Sequence, residues 1–134
     1  VHWHWIAKIR EAITIPVTAN GDIFSLDDAK RCMEISGCDR LMIGRGALAM
    51  PNLAQVIKEK EAPYNWPQTL DLMSEYLFIQ THGDKEKYLP NRIKQWLTFM
   101  RIQQPKALTF LHQVRKIKTT AQMFEAIQLE RAHA

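Results

Sequence analysis

Cysteine is scarce: Cys32 and Cys38 are the only two in 134 residues. Two thiols cannot build a disulfide framework, and their spacing fits no zinc site, so a reducing cytoplasm is the expected setting. No apolar run approaches the about 20 residues that a membrane-spanning helix needs. The opening Val1-His2-Trp3-His4-Trp5 carries no basic stretch ahead of an apolar one and so does not read as a signal peptide. It also lacks an initiating methionine, and the chain is expected to begin inside a longer protein. Internal repeats and low-complexity segments are missing. So are acidic residues in one stretch: between Lys85 and Lys118, nine basic side chains face a single acid, Glu86.

What is present fits a globular protein. Hydrophobic residues make up 46% of the chain and charged residues 24%. The formal net charge is +4, and its placement is uneven. Residues 1–62 carry eight basic and eight acidic groups; residues 63–134 carry ten and six. The local +8 between Lys85 and Lys118 points to an anionic partner, or, more blandly, to the solvated face of a basic helical domain.

The pattern along the chain changes once. Trp3 to Ala12 reads as a helix with Trp5, Ile6, Ile9 and Ile13 on its apolar stripe. A short buried strand is expected to begin at Ile15-Pro16-Val17 and run toward Asn20-Gly21. Ser25 should cap a second helix, with Asp27 and Asp28 in its positive first turn and Leu26, Ala29, Met33 and Ile35 as its apolar surface. Gly37 should end it. Leu41-Met42-Ile43 reads as a second buried strand, and Pro51-Asn52-Leu53 as the start of a short helix reaching about Lys60. Two prolines in Pro63-Tyr64-Asn65-Trp66-Pro67 mark a linker. Beyond it four helices are expected. The first starts near Pro67 and ends at His82-Gly83. The second includes Arg92 to Gln103, with Pro90 at or just before its first turn and Ile93, Trp96, Leu97 and Met100 inward. The third opens at Pro105 and carries Leu108, Leu111 and Val114. The fourth is capped by Thr119 or Thr120 and carries Met123, Ile127 and Leu129.

Strand, helix, strand is a βαβ unit with parallel strands. Both strands stop at glycine: Asn20-Gly21-Asp22 and Gly44-Arg45-Gly46. A phosphate needs backbone N–H groups aimed at one point and often a cation. Gly21, Gly44 and Gly46 can provide the first, and the Arg45 guanidinium the second. Asn20 can turn its amide toward the same mouth. Asp22 would repel a phosphate, but could meet a hydroxyl or offer its backbone N–H. The alternative is a pair of ordinary turns. Two adjacent strands of this kind fit the last two of a (β/α)8 barrel, where phosphate sites commonly lie; such barrels need about 250 residues, so only part of one is expected here.

These residues carry a resemblance. Thr18-Ala19-Asn20-Gly21-Asp22-Ile23, Gly37-Cys38-Asp39, Met42-Ile43-Gly44-Arg45-Gly46-Ala47 and Pro51-Asn52 resemble the tRNA-dihydrouridine synthases. Arg92-Ile93-Lys94-Gln95-Trp96-Leu97 and His112-Gln113-Val114-Arg115 resemble the bacterial C-type subgroup of that family, which reduces a D-loop uridine at tRNA position 16. The resemblance covers nearly the whole chain. It implies a mostly helical α/β plus all-α chain: residues 1–62 as the last βαβ unit of an FMN-binding TIM barrel, residues 63–134 as a four-helix, tRNA-binding bundle. It implies FMN as cofactor, held through Asn20, Gly21, Asp22, Gly44 and Arg45, with NADPH as reductant. It implies tRNA contacts by Arg92, Lys94, Phe99 and Arg115.

The family's catalytic cysteine, and the lysine and histidine that complete its flavin and substrate site, lie upstream of the matched stretches and have no counterpart here. No catalytic or metal-binding residue is assigned. Cys32 and Cys38 read as buried structural thiols, and His2, His4, His82 and His112 have no companion at ligand spacing. Trp3, Trp5, Trp66 and Trp96 read as core. The fragment is expected to be inactive alone, to retain little FMN affinity and to self-associate through exposed strands. Two other readings are a standalone basic RNA-binding module and the tail of another phosphate-binding barrel enzyme.

Overall fold

The computed structural model describes residues 1–80 and 86–134, and is mostly helical. It divides into two compact units, Val1–Pro63 and Tyr64–Ala134. Among the described residues no helix is long and apolar enough to cross a membrane.

The first unit is built on two parallel strands. β1 (Thr18–Asn20) pairs with β2 (Arg40–Met42) in the register Thr18↔Arg40, Ala19↔Leu41, Asn20↔Met42. β1 therefore starts later than expected: Pro16 has no N–H to give a ladder, and Ile15 is 69% exposed. β2 stops before Ile43 because its partner ends at Asn20. Neither strand is buried on both faces as expected. Ala19 is fully buried and Leu41 partly, while Thr18, Asn20, Arg40 and Met42 are exposed. A two-stranded sheet packed on one face leaves its alternate side chains outside.

α2 (Leu26–Ser36) connects the strands. Ser25 Oγ accepts from the Asp28 N–H at 3.0 Å, and Asp28 Oδ2 reaches back to accept from the Phe24 N–H, also at 3.0 Å. Gly37 closes the helix at φ 71°, its N–H donating to the Met33 carbonyl. The buried line is Ala29, Cys32 and Ser36, so Ile35 points away and is exposed. α1 (Trp3–Ala12) packs on α2 through Trp3, Ile6 and Arg10, whose Nε donates to the Ser36 carbonyl at 3.2 Å. Of the four residues of the expected stripe one is inward: Ile6 packs, but Trp5, Ile9 and Ile13 lie on a neighbouring line that nothing in the described unit covers. α3 (Arg45–Ala49), unforeseen, precedes α4 (Leu53–Glu59), which starts two residues later than expected and whose Leu53 and Val56 form a satellite core with Met50, Leu26 and Ile43.

The second unit begins at a reciprocal cap. Asn65 Oδ1 accepts from the Gln68 N–H at 2.9 Å, and Gln68 Oε1 accepts from the Asn65 N–H at 3.0 Å. This starts α5 (Trp66–Gln80); the end expected at His82-Gly83 lies outside the described residues. A 3₁₀ turn, Glu86–Tyr88, leads into α6 (Leu89–Met100), with Pro90 in its first turn. α7 (Pro105–Val114) and α8 (Thr120–His133) follow, the latter capped by Thr119 Oγ1, which accepts from the Gln122 N–H. Their shared core holds Leu70, Met73, Leu77, Ile93, Leu97 and Met100, closed by Phe110, Met123 and Ile127. Trp66 stacks edge-on against Phe110 at 5.9 Å and donates its Nε1–H to Glu130. Two expected core residues are displaced. On α7 the buried line is Ala107, Phe110 and Val114, which turns Leu108 outward; on α8, Leu129 falls on the far side from Met123 and Ile127.

Candidate phosphate pocket and basic groove

All five residues expected to hold a cofactor in the first unit line one pocket. Asn20, Gly21 and Asp22 reach it from the end of β1; Gly44 and Arg45 from the end of β2. Its volume is about 200 Å³. The parallel register makes this happen, since Asn20 and Met42 end side by side and both chains then turn out of the sheet.

The turns are shaped by backbone rather than by bulk. Gly21 has φ 112°, a conformation closed to most side chains, and Asp22 continues it at φ 48°. The buried Trp3 fixes this loop by donating its indole N–H to the Gly21 carbonyl at 2.9 Å. Gly44 faces open space: a Cβ built there meets nothing within 4 Å. Gly46 is the opposite case. A Cβ there would lie 1.8 Å from the Ile23 carbonyl oxygen, so this glycine lets α3 close on the β1–α2 loop.

Charge in the pocket is paired. Arg45 Nη2 donates to Asp22 Oδ1 at 2.9 Å, and both side chains remain substantially exposed. The bond resolves the difficulty that Asp22 raised in the sequence: its carboxylate aims the Arg45 guanidinium and leaves other N–H groups of that fork for an incoming acceptor. The Phe24 N–H is already taken by Asp28. Ile23, Phe24 and Met42 complete the lining and were not anticipated. The thiols are inert components: Cys32 and Cys38 are buried, and burial, then the neighbouring Cys38, pushes the Cys32 thiol above its ordinary value.

In the second unit, the expected tRNA contacts separate. Lys94 and Arg115 line a groove of about 500 Å³ from opposite sides, α6 and the end of α7. Arg92 and Phe99 do not line it. Seven residues apart, they share an adjacent stripe of α6, Arg92 exposed and Phe99 half-buried. Lys94 is also structural, its Nζ donating to the Ile117 carbonyl and so holding the loop that carries Arg115, Lys116 and Lys118. Residues missed from sequence are Asn91, Gln95, Thr98 and Arg101 on α6 and His112 on α7. Their spacing places the first four on one helical face, a signal that was available but lay hidden among charge counts. Among the described residues no cluster of three His, Cys, Asp or Glu side chains could hold a metal ion.

Comparison with known proteins matches both units of the chain. The family model described as dihydrouridine synthase (Dus) matches residues 1–132. A tRNA-dihydrouridine(16) synthase of Shewanella oneidensis is 45% identical over 132 residues, covering 98% of this chain and 42% of that protein. The protein of the same name from Escherichia coli K12 is 41% identical over 128 residues, 96% of this chain and 41% of that one. That from Vibrio parahaemolyticus is 39% identical over 128 residues, 96% and 40%. The chain thus spans about two fifths of the length of these curated relatives. A match of that extent, on a chain whose two glycine turns converge on one pocket, places it in the dihydrouridine synthase family.

Proposed function

We propose that this chain is the C-terminal portion of a C-type tRNA-dihydrouridine synthase acting on uridine 16, that Val1–Pro63 contributes part of an FMN site at the end of a TIM barrel, and that Tyr64–Ala134 binds tRNA. The observation that carries the reading is the convergence of Asn20, Gly21, Asp22, Gly44 and Arg45 on one pocket. Their chemistry fits a flavin phosphate: an open face above Gly44, a left-handed turn at Gly21 and Asp22, and a guanidinium held in place at the rim. When bound, FMN reduced by NADPH supplies the hydride for the uracil double bond. The chain's own residues bind and orient. Amides of the Gly44–Gly46 turn and the Arg45 fork take phosphate oxygens, Asp22 holds Arg45, and Asn20 offers its amide at the strand end.

In the helical unit Arg92, Lys94 and Arg115 place tRNA phosphates and Phe99 packs against a base. The names of the relatives support the substrate, and the basic run without acids supports the contact surface. By itself the chain binds tRNA and reduces no uridine. Its uncovered Trp5, Ile9 and Met42 favour self-association, which light scattering would show as mass above that of a monomer.

The test is a titration with whole tRNA at several salt concentrations. Because Lys94 holds the Ile117 carbonyl, the informative variant is Arg92→Ala/Arg115→Ala, which leaves that bond intact. The plot of log affinity against log salt should flatten by about one unit for each phosphate that is no longer neutralised. Absence of tRNA binding, or an unchanged slope, overturns the assignment of the helical unit.

A further inference from the structure

Resting on the reading of the helical unit as a tRNA-binding surface, we infer that the groove between α6 and α7 seats one unpaired nucleotide, base included, and does not merely track phosphates.

A phosphate track needs only cations and amide N–H groups. This groove contains more. α6 and α7 are joined by four residues, Arg101 to Gln104, and form a helical hairpin. Arg101 stands at the closed end of that hairpin and Arg115 at the open end. Between them the α7 wall presents two leucines beside His112: Leu111 is half-buried, and Leu108 is 37% exposed although a leucine could have turned into the core. The α6 wall opposite is polar: the amides of Asn91 and Gln95 lie one helical turn apart, with the Lys94 ammonium beside them, bonded to the Ile117 carbonyl. Thr98 has its hydroxyl donated to the Lys94 carbonyl at 2.9 Å, so it adds bulk more than a free donor.

A pair of leucines facing a pair of carboxamides is what an unstacked base needs, since its faces are apolar and its edges carry donors and acceptors. Carboxamides provide both kinds of group, and among the described residues no acidic side chain lines the groove to repel a phosphate. The volume of about 500 Å³ lies within the roughly 300–1,000 Å³ of small-ligand sites. In this arrangement the base lies on Leu108 and Leu111, its edge meets Gln95 and Asn91, and Arg101 and Arg115 take the phosphates on either side.

The experiment compares a short oligouridylate with an abasic oligomer of the same length and charge. Wild-type protein should bind the oligouridylate more tightly. Gln95→Ala should weaken that binding by about fivefold, roughly the worth of one hydrogen bond, and Leu108→Ala, which removes apolar surface under the base, by a similar factor; both positions are exposed, and both variants should leave the abasic oligomer and the salt slope unchanged. Arg115→Ala should weaken both ligands. Equal binding of the two oligomers by wild type, or equal losses for both in the Gln95 variant, overturns the nucleotide seat. Salt-dependent binding of whole tRNA in the same samples would then show that the tRNA-binding reading survives without it. No RNA binding of any kind overturns both. Circular dichroism melts of each variant confirm that losses come from the groove, and Gln95→Ala decides the matter if Leu108→Ala fails to fold.

Discussion

The carbonyl oxygen of Ile23 occupies the place where a side chain on Gly46 would begin, 1.8 Å from an added Cβ. That contact, between the loop after β1 and the first turn of α3, brings the two glycine turns that line the pocket to their spacing.

Gly46→Ala should therefore destabilise the first unit by about 1–3 kcal/mol, the range for forcing atoms into a packed site. Gly44→Ala should change stability by less than about 0.5 kcal/mol, because its Cβ enters open space. Urea unfolding followed by tryptophan fluorescence distinguishes them. Equal stabilities of the two variants would mean that α3 is not held against Ile23.

Trp3→Phe keeps an aromatic ring in the core and removes the donor to the Gly21 carbonyl. The expected loss is about 1 kcal/mol, with faster amide exchange in the Gly21-Asp22 turn. Unchanged exchange there would show that the strained turn holds its shape without the indole.

Lys94→Met should lower the melting temperature of the helical unit, because the Ile117 carbonyl is deprived of its ammonium donor. Arg92→Ala should leave that temperature unchanged while weakening tRNA binding, since Arg92 is exposed. If both substitutions shift only binding, Lys94 has no structural role.

The buried Cys32 thiol should resist alkylation in the folded chain and react once the chain is unfolded. Its pH dependence has a definite sign. Below the ordinary thiol value of 9.0 both states keep the proton. Above it the unfolded chain releases the proton while the folded chain, with its raised value, retains it. Folding then takes up a proton, and stability falls as pH rises through that window. Cys32→Ser should reduce the alkaline fall, as measured by denaturant midpoints between neutral and alkaline pH.

Local signals were the most legible. Ser25, Gly37 and Thr119 mark helix ends through bonds made within a few residues, so their roles can be read without knowing the fold. Pro90 and Pro105 enter first turns for the same reason. Asn20-Gly21-Asp22 and Gly44-Arg45 were legible as a pair because glycine at a strand end constrains backbone locally, and the connecting helix brings the strands alongside.

Which face of each helix is covered was not legible, because burial depends on what arrives from elsewhere in the chain. Trp5, Ile9 and Ile13 form a more apolar line than Trp3, Ile6 and Arg10, yet the indole bond to Gly21 and the guanidinium bond to Ser36 select the second. Leu108 likewise gave up its expected place to Phe110, and Leu129 lies outside while Met123 and Ile127 take the core places expected of them.

The sequence by itself determined helix ends, glycine turns and the uneven charge, since these depend on covalent identity and near neighbours. Only the tertiary structure decided that Asp22 carries Arg45, that Gly46 is a packing glycine, and that Lys94 serves a loop as well as a groove. Each is a contact across 23 residues, from Asp22 to Arg45, from Ile23 to Gly46 and from Lys94 to Ile117. Such contacts follow from how whole elements pack, which no local pattern encodes.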